Sequence, residues 1–200
     1  MPTALLTPQI EFVPNSPRRK QWTRTELSGI EAAGLLVNQK LELIEGELIQ
    51  KMGKNRPHCA GLLLMLQYLA GVFTLSRIQP EMPIDVHPED NPTSEPEPDL
   101  AVYNRHVNSI RSGNHVAADA LLVCEISDTS LAFDLRTKAN LYARAGIIEY
   151  WVLDVNNPRL IVHREPSMTG YLSVQVYRPD ESIAPLAAPH AQTLVSAFFN

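Results

Sequence analysis

The chain has 200 residues, 44% of them hydrophobic, which suffices for one sizeable core and excludes disorder over most of its length. With 17 Lys and Arg against 22 Asp and Glu, the formal charge of −5 excludes indiscriminate coating of nucleic acid, though not a local basic groove. Two cysteines, Cys59 and Cys124, both in apolar sequence surroundings, make no disulfide framework, so a reducing, cytoplasmic compartment is expected.

Residues 1–20 contain Pro2, Pro8, Pro14 and Pro17 with no hydrophobic period, and are expected to form an extended arm ahead of a single domain over 21–200. "MPTALLTPQI" lacks the basic stretch and long apolar run of a secretion signal. The arm ends in the basic "PRRKQWTR", which suits either phosphates or, more commonly, a solvated surface. Thr23 followed by Glu26 has the spacing of a capping box and predicts a helix over "TRTELSGIEAAGLL". "KLELIEGELIQKM" alternates about Glu45-Gly46 and predicts a β-hairpin, with Leu41, Leu43 and Leu48 inward and Glu42 and Glu47 near the turn.

A long helix is expected from about Pro57, since proline suits a first helical turn. Its run "AGLLLMLQYLAGVF" is too short and interrupted to span a bilayer, and reads as a core helix. From Glu81 to Asp99 there are seven acidic residues, five prolines and no Lys or Arg, a polar loop that ends where "DLAVY" resumes a strand. "DALLVCEIS" then predicts a central strand. "DLRTKANLYARAG" predicts a helix with Asp134 as N-cap and Gly146 as its stop, and "IEYWVLDV" predicts another strand. Strand, helix and strand with short connections imply a parallel crossover, and "RLIVHRE" and "YLSVQVY" add an antiparallel meander. The fold class is therefore α/β with α+β character: a central mixed β-sheet flanked by helices.

Within "LLVCEIS" alternation puts Leu121, Val123, Glu125 and Ser127 on one face and Leu122, Cys124 and Ile126 on the other. A carboxylate in so apolar a strand is costly unless it is paired with Lys or Arg, binds a cation, or meets solvent at the strand end. Glu125 lies near the carboxyl end of its strand, and Asp99 starts another strand after Pro98. Two converging carboxylates suit a magnesium ion, which takes oxygen ligands and leaves positions for water and phosphate. A nearby lysine would add positive charge for phosphodiester cleavage, and Lys138, on the next helix, is the candidate. Its alternative is a surface pair with Asp134, four residues earlier. No Gly-x-Gly-x-x-Gly, Gly-Lys-Ser/Thr, Cys-x-x-Cys or His-Glu-x-x-His motif is present, which argues against a nucleotide cofactor and structural zinc.

"EPDLAVY", "LLVCEIS", "FDLRTKANLYARAG" and "IEYWVLDV", together with "LELIEGEL" and His58, resemble a bacterial restriction-endonuclease family of the PD-(D/E)XK nuclease superfamily over roughly 23–177. The resemblance implies a restriction-endonuclease-like core in which Asp99 and Glu125 are catalytic metal ligands for Mg²⁺ (or Mn²⁺). The superfamily's lysine two residues after the acid is absent, since Ser127 stands there. The family places a lysine on the following helix, where Lys138 would act instead. Glu42, His58 and Tyr142 match family positions and, with Ser127 and Asp134, would line the site. The implied activity is that of a metal-dependent endonuclease hydrolysing DNA phosphodiester bonds, in the cytoplasm, with no membrane partner. A homodimer is left open as the assembly that cutting both strands would use. The alternative is a catalytically silent nuclease-like domain serving as a nucleic-acid-binding or protein-assembly module, which Ser127 and the acidic balance favour. In that case His58 is a helix-start or core histidine, Glu42 a solvated hairpin residue, and Tyr142 core packing.

Overall fold

The computed structural model describes residues 17–51 and 53–199. Most of the expected extended arm therefore lies outside the described residues. Thr23 caps helix α1 (Arg24–Ala32) with the full capping box: its hydroxyl accepts from the Glu26 N–H, and the Glu26 carboxylate accepts from the Thr23 N–H. The hairpin forms as β1 (Leu41–Ile44) and β2 (Glu47–Gln50) about Glu45-Gly46, both at positive φ. Asn55 caps helix α2 (Arg56–Phe73), which carries Pro57 in its first turn.

After α2 come β3 (Ile78–Pro80), the short β4 (Ile84–Asp85), β5 (Leu100–Tyr103), the short β6 (His115–Val116) and β7 (Ala120–Ser127). Helix α3 (Leu131–Phe133) runs through a π-helical turn (Asp134–Lys138) into α4 (Ala139–Arg144), followed by β8 (Glu149–Asp154), β9 (Arg159–Ser167) and β10 (Gly170–Tyr177). Asp134 is thus not the N-cap. Ser130 precedes the helix, and Asp134 is buried inside it. Gly146 does end the helix, at φ +77°.

The central sheet has six strands in the order β10-β9-β8-β7-β5-β3. Within this sheet only β7 and β8 pair in parallel, across the expected crossover, and its other pairings are antiparallel, so the sheet is mixed and flanked by helices. Helix α2 covers one face with Met65, Leu69 and Phe73, spaced by four residues, against Leu122, Cys124, Ile126 and Trp151. Each such buried apolar side chain contributes about 1.5–3 kcal/mol. Gly61 permits the close approach: a Cβ there would stand 3.0 Å from Leu153 Cδ2 and 3.2 Å from Ile126 Cγ2. The π turn and α4 cover the other face, packing Ala139 and Tyr142 on Val123, Tyr150 and Val152. Cys124 is buried as its surroundings suggest, but Cys59 is exposed, because it points away from the face of α2 that meets the sheet. Among the described residues, no helix is long and apolar enough to cross a membrane.

Candidate active site

Sheet register builds the site. The antiparallel pairing of β5 with β7 sets Leu100 opposite Cys124, so Asp99, one residue before β5, meets Glu125 at the carboxyl end of β7. The Asp99 N–H points at Glu125 Oε2 at 3.4 Å, and the Ile126 N–H donates to Asp99 Oδ2 at 2.8 Å. The two acids line one cavity of about 120 Å³ together with Glu42, Lys51, Lys54, His58, Asp134 and Lys138.

Lys138 enters from the helix above. A π turn carries an extra residue per turn, a local geometry found often at functional sites. Here both Asp134 and Lys138 are buried, which rules out a solvated surface pair. Lys138 Nζ lies 2.8 Å from Glu125 Oε1 and 2.9 Å from Glu42 Oε1, with 6% of the lysine side chain exposed. Tyr142 donates its hydroxyl to Glu125 Oε1 at 3.1 Å. Ser127 is buried beside Ser130, whose hydroxyl donates to Asp134 Oδ2 at 2.6 Å.

Glu42 is not the solvated hairpin residue of the silent-module alternative. It is buried, because a bridge between Leu43 and Glu95 ties the hairpin to the acidic loop, and the Glu97 N–H donates to Glu42 Oε1 at 2.7 Å. His58, in the first turn of α2, sets Nε2 3.2 Å from Asp99 Oδ2. All eight sequence-derived site residues therefore gather at this end of the sheet. Lys51 and Lys54 also line the cavity and are absent from that set. Their signal was two lysines flanking Gly53 just before a helix start, which no hydrophobic period marks.

The charge balance separates the two acids. Burial would raise the Asp99 carboxyl, but His58, the Ile126 N–H and Lys54 outweigh it and hold it down at about 2. Burial pushes Glu125 above the usual carboxylate range; Lys138 opposes that, while the charges of Asp99, Asp134 and Glu42 add to it. A third buried glutamate, Glu149 on β8, makes a useful contrast. Its oxygens accept from Trp151 Nε1, Arg164 and the Leu186 N–H, which is a closed structural role. Glu125 instead faces a cavity and a second carboxylate.

These donors fit a hard divalent cation. Asp99 and Glu125 offer carboxylate oxygens without a soft ligand, in a pocket rich in negative charge. Among the described residues no three His, Cys, Asp or Glu side chains form a ready cage, so a cation here would rest on two carboxylates with other positions filled by water or substrate oxygens.

A family model described as "Putative restriction endonuclease" (Uma2) matches residues 35–196. The chain belongs to the Uma2 family. This Uma2 chain is similar in structure to "a putative nuclease belonging to DUF820" from Anabaena variabilis, with a TM-score of 0.62 and 18% identity over 80% of this chain and 90% of that one. At that identity the likeness shows the fold, and it agrees with the mixed sheet flanked by helices. No curated protein matches the sequence.

Proposed function

We propose that this Uma2 protein is a metal-dependent nuclease that hydrolyses DNA phosphodiester bonds, with the PD-(D/E)XK roles taken by Asp99, Glu125 and Lys138. The observation that carries the reading is the placement of the Lys138 ammonium. It reaches Glu125 from the helix, although the strand itself has Ser127 where the superfamily has lysine. Lys138 lines the cavity beside Asp99 rather than pointing to solvent, which favours this reading over a silent module.

Asp99 and Glu125 would hold Mg²⁺ (or Mn²⁺). When bound, such a cation neutralises charge on phosphoryl oxygens and lowers the pKa of a bound water. The protein's own groups do the rest. His58 and the Ile126 N–H fix the Asp99 carboxylate, leaving Oδ1 toward the cavity. Glu42 and Glu125 hold the Lys138 ammonium, where its charge favours the negative charge that develops at phosphorus. Tyr142 fixes the orientation of Glu125. In the reaction, water adds to phosphorus, one P–O ester bond breaks, and the departing alkoxide takes up a proton.

We take residues 21–200 as one domain in the cytoplasm, the two free thiols supporting that compartment. A homodimer is part of the reading. Its support is edge strand β10, which has neither charge nor proline over Gly170–Tyr177 and exposes Leu172, Val174 and Val176. The test is incubation of the purified protein with circular duplex DNA and with RNA, in Mg²⁺ and in EDTA. The reading expects DNA nicking only in Mg²⁺. Cleavage of RNA alone would replace the substrate, and equal cleavage in EDTA would remove the metal.

A further inference from the structure

Lys54 stands on the cavity rim in the connection between β2 and α2, just after Gly53, around which there is open space. Its Nζ lies 3.2 Å from Asp99 Oδ1 and also contacts the Glu81 carboxylate. The other Asp99 oxygen is taken by the Ile126 N–H and His58. Among the described residues, Lys54 is the hydrogen-bond partner of the oxygen that Asp99 turns to the cavity.

The two lysines of the site differ in freedom. Lys138 is clamped between two buried glutamates on a helix. Lys54 is on an irregular segment with 27% of its side chain exposed, and Glu81 offers it a second seat, itself 48% exposed. Glu81 is held there by an unusual backbone: its φ is +52°, a strained region for a non-glycine residue, and its N–H is turned to the carbonyls of Pro98 and Asp99 at 3.2 and 3.3 Å.

A divalent cation on Asp99 and an ammonium on the same carboxylate repel. At a few ångströms two unit charges interact several times more strongly near a protein surface than in bulk water, and a doubly charged ion doubles this. Lys54 must then give way, and Glu81 is the carboxylate within its reach. We propose that Lys54 is a tethered competitor for the metal: it neutralises Asp99 in the metal-free protein and passes wholly to Glu81 when the cation binds. The inference rests on the reading of Asp99 as a metal ligand. It makes Lys54 a positioning residue that keeps the Asp99 carboxylate compensated and sets the metal concentration the site needs.

The test is direct titration of the full chain with Mn²⁺, followed by calorimetry and by the loss of the free-ion EPR signal, with folding of each variant checked by its urea midpoint. Lys54→Met is expected to tighten Mn²⁺ binding about tenfold or more. Glu81→Gln is expected to weaken it several-fold, because Lys54 loses its second seat. The double variant decides the mechanism: if Glu81 acts through Lys54, Glu81→Gln has no effect once Lys54 is Met. An equal weakening by Glu81→Gln in both backgrounds would overturn the inference, since Glu81 would then act by its own charge. So would equal affinity of wild type and Lys54→Met; if Asp99→Asn still abolished binding, the metal reading would stand without the competitor. No Mn²⁺ binding in any variant would overturn both.

Discussion

Replacing Lys138 by Met tests whether this ammonium is a structural counter-charge as well as a chemical one. The change keeps the aliphatic stem but leaves Glu42 and Glu125, with side chains 3% and 6% exposed, without their shared cation. Removing one partner of a buried ion pair typically costs about 3–5 kcal/mol, because the remaining charge is buried unpaired. Against a domain stability of about 5–15 kcal/mol that is a large fraction, and with a urea slope of about 1–3 kcal/mol per molar the midpoint should fall by roughly 1–5 M. Urea unfolding at pH 8, followed by fluorescence of the buried Trp151, measures it. At pH 5 the loss should shrink, since Glu125, whose carboxyl burial already pushes up, can take up a proton instead of standing ionised. Adding Glu125→Gln should restore part of the loss at pH 8, as one of the uncompensated charges is removed. A Lys138→Met shift equivalent to about 0.5 kcal/mol or less at pH 8 would refute the reasoning, because that is the worth of an exposed helical pair.

Three further perturbations probe the scaffold. His163 is buried and its imidazole is pushed down from 6.5 to about 4, chiefly by burial, so the folded state resists a proton that the unfolded chain accepts. Its stability contribution is intact above pH 6.5 and is lost as pH falls toward 4, by roughly 3 kcal/mol; thermal melts should show His163→Phe losing less stability than wild type over that window, and parallel curves would contradict it. Gly61→Val should overpack α2 against Leu153 and Ile126, costing about 1–3 kcal/mol in urea midpoint, and an unchanged midpoint would mean the helix does not sit this close. Val174→Lys places a charge on the uncovered β10 edge and should shift sedimentation toward monomer with unchanged stability; identical sedimentation of variant and wild type would remove β10 as the dimer surface.

The parts of the fold set by local chemistry were legible in the sequence. The Thr23–Glu26 box, the Glu45-Gly46 turn, the Gly146 stop and the alternation of β7 from Leu122 onward each have a short-range cause, and each is present; at Leu121 a register shift breaks the expected alternation and packs that side chain with the Leu122 face. Asp99, Glu125 and Lys138 were found as candidates through motif order, and the sheet register brings them to one cavity. The N-cap assignment of Asp134 failed because the helix starts at Leu131, after Ser130, within a segment expected to be a connection, so Asp134 falls inside the helix and is buried with Lys138. The burial of Glu42 and the grip of Lys54 on Asp99 depend on contacts made 45 and more residues away in the chain: the Lys54–Asp99 pair at separation 45, the Lys51–Glu97 pair at 46 and the Glu97–Glu42 hydrogen bond at 55. Such pairings are set by the tertiary fold and leave no trace in local spacing.

The central claim is that Asp99 and Glu125 together form the cation site of a nuclease. Its most direct test is the nicking of supercoiled DNA in Mg²⁺ by wild type, Asp99→Asn and Glu125→Gln, with His163→Phe purified in parallel as a control for contaminating nuclease. Loss of nicking in both site variants, with wild-type rates in the control, is the expected result. Nicking that persists undiminished in Asp99→Asn and Glu125→Gln would contradict the account.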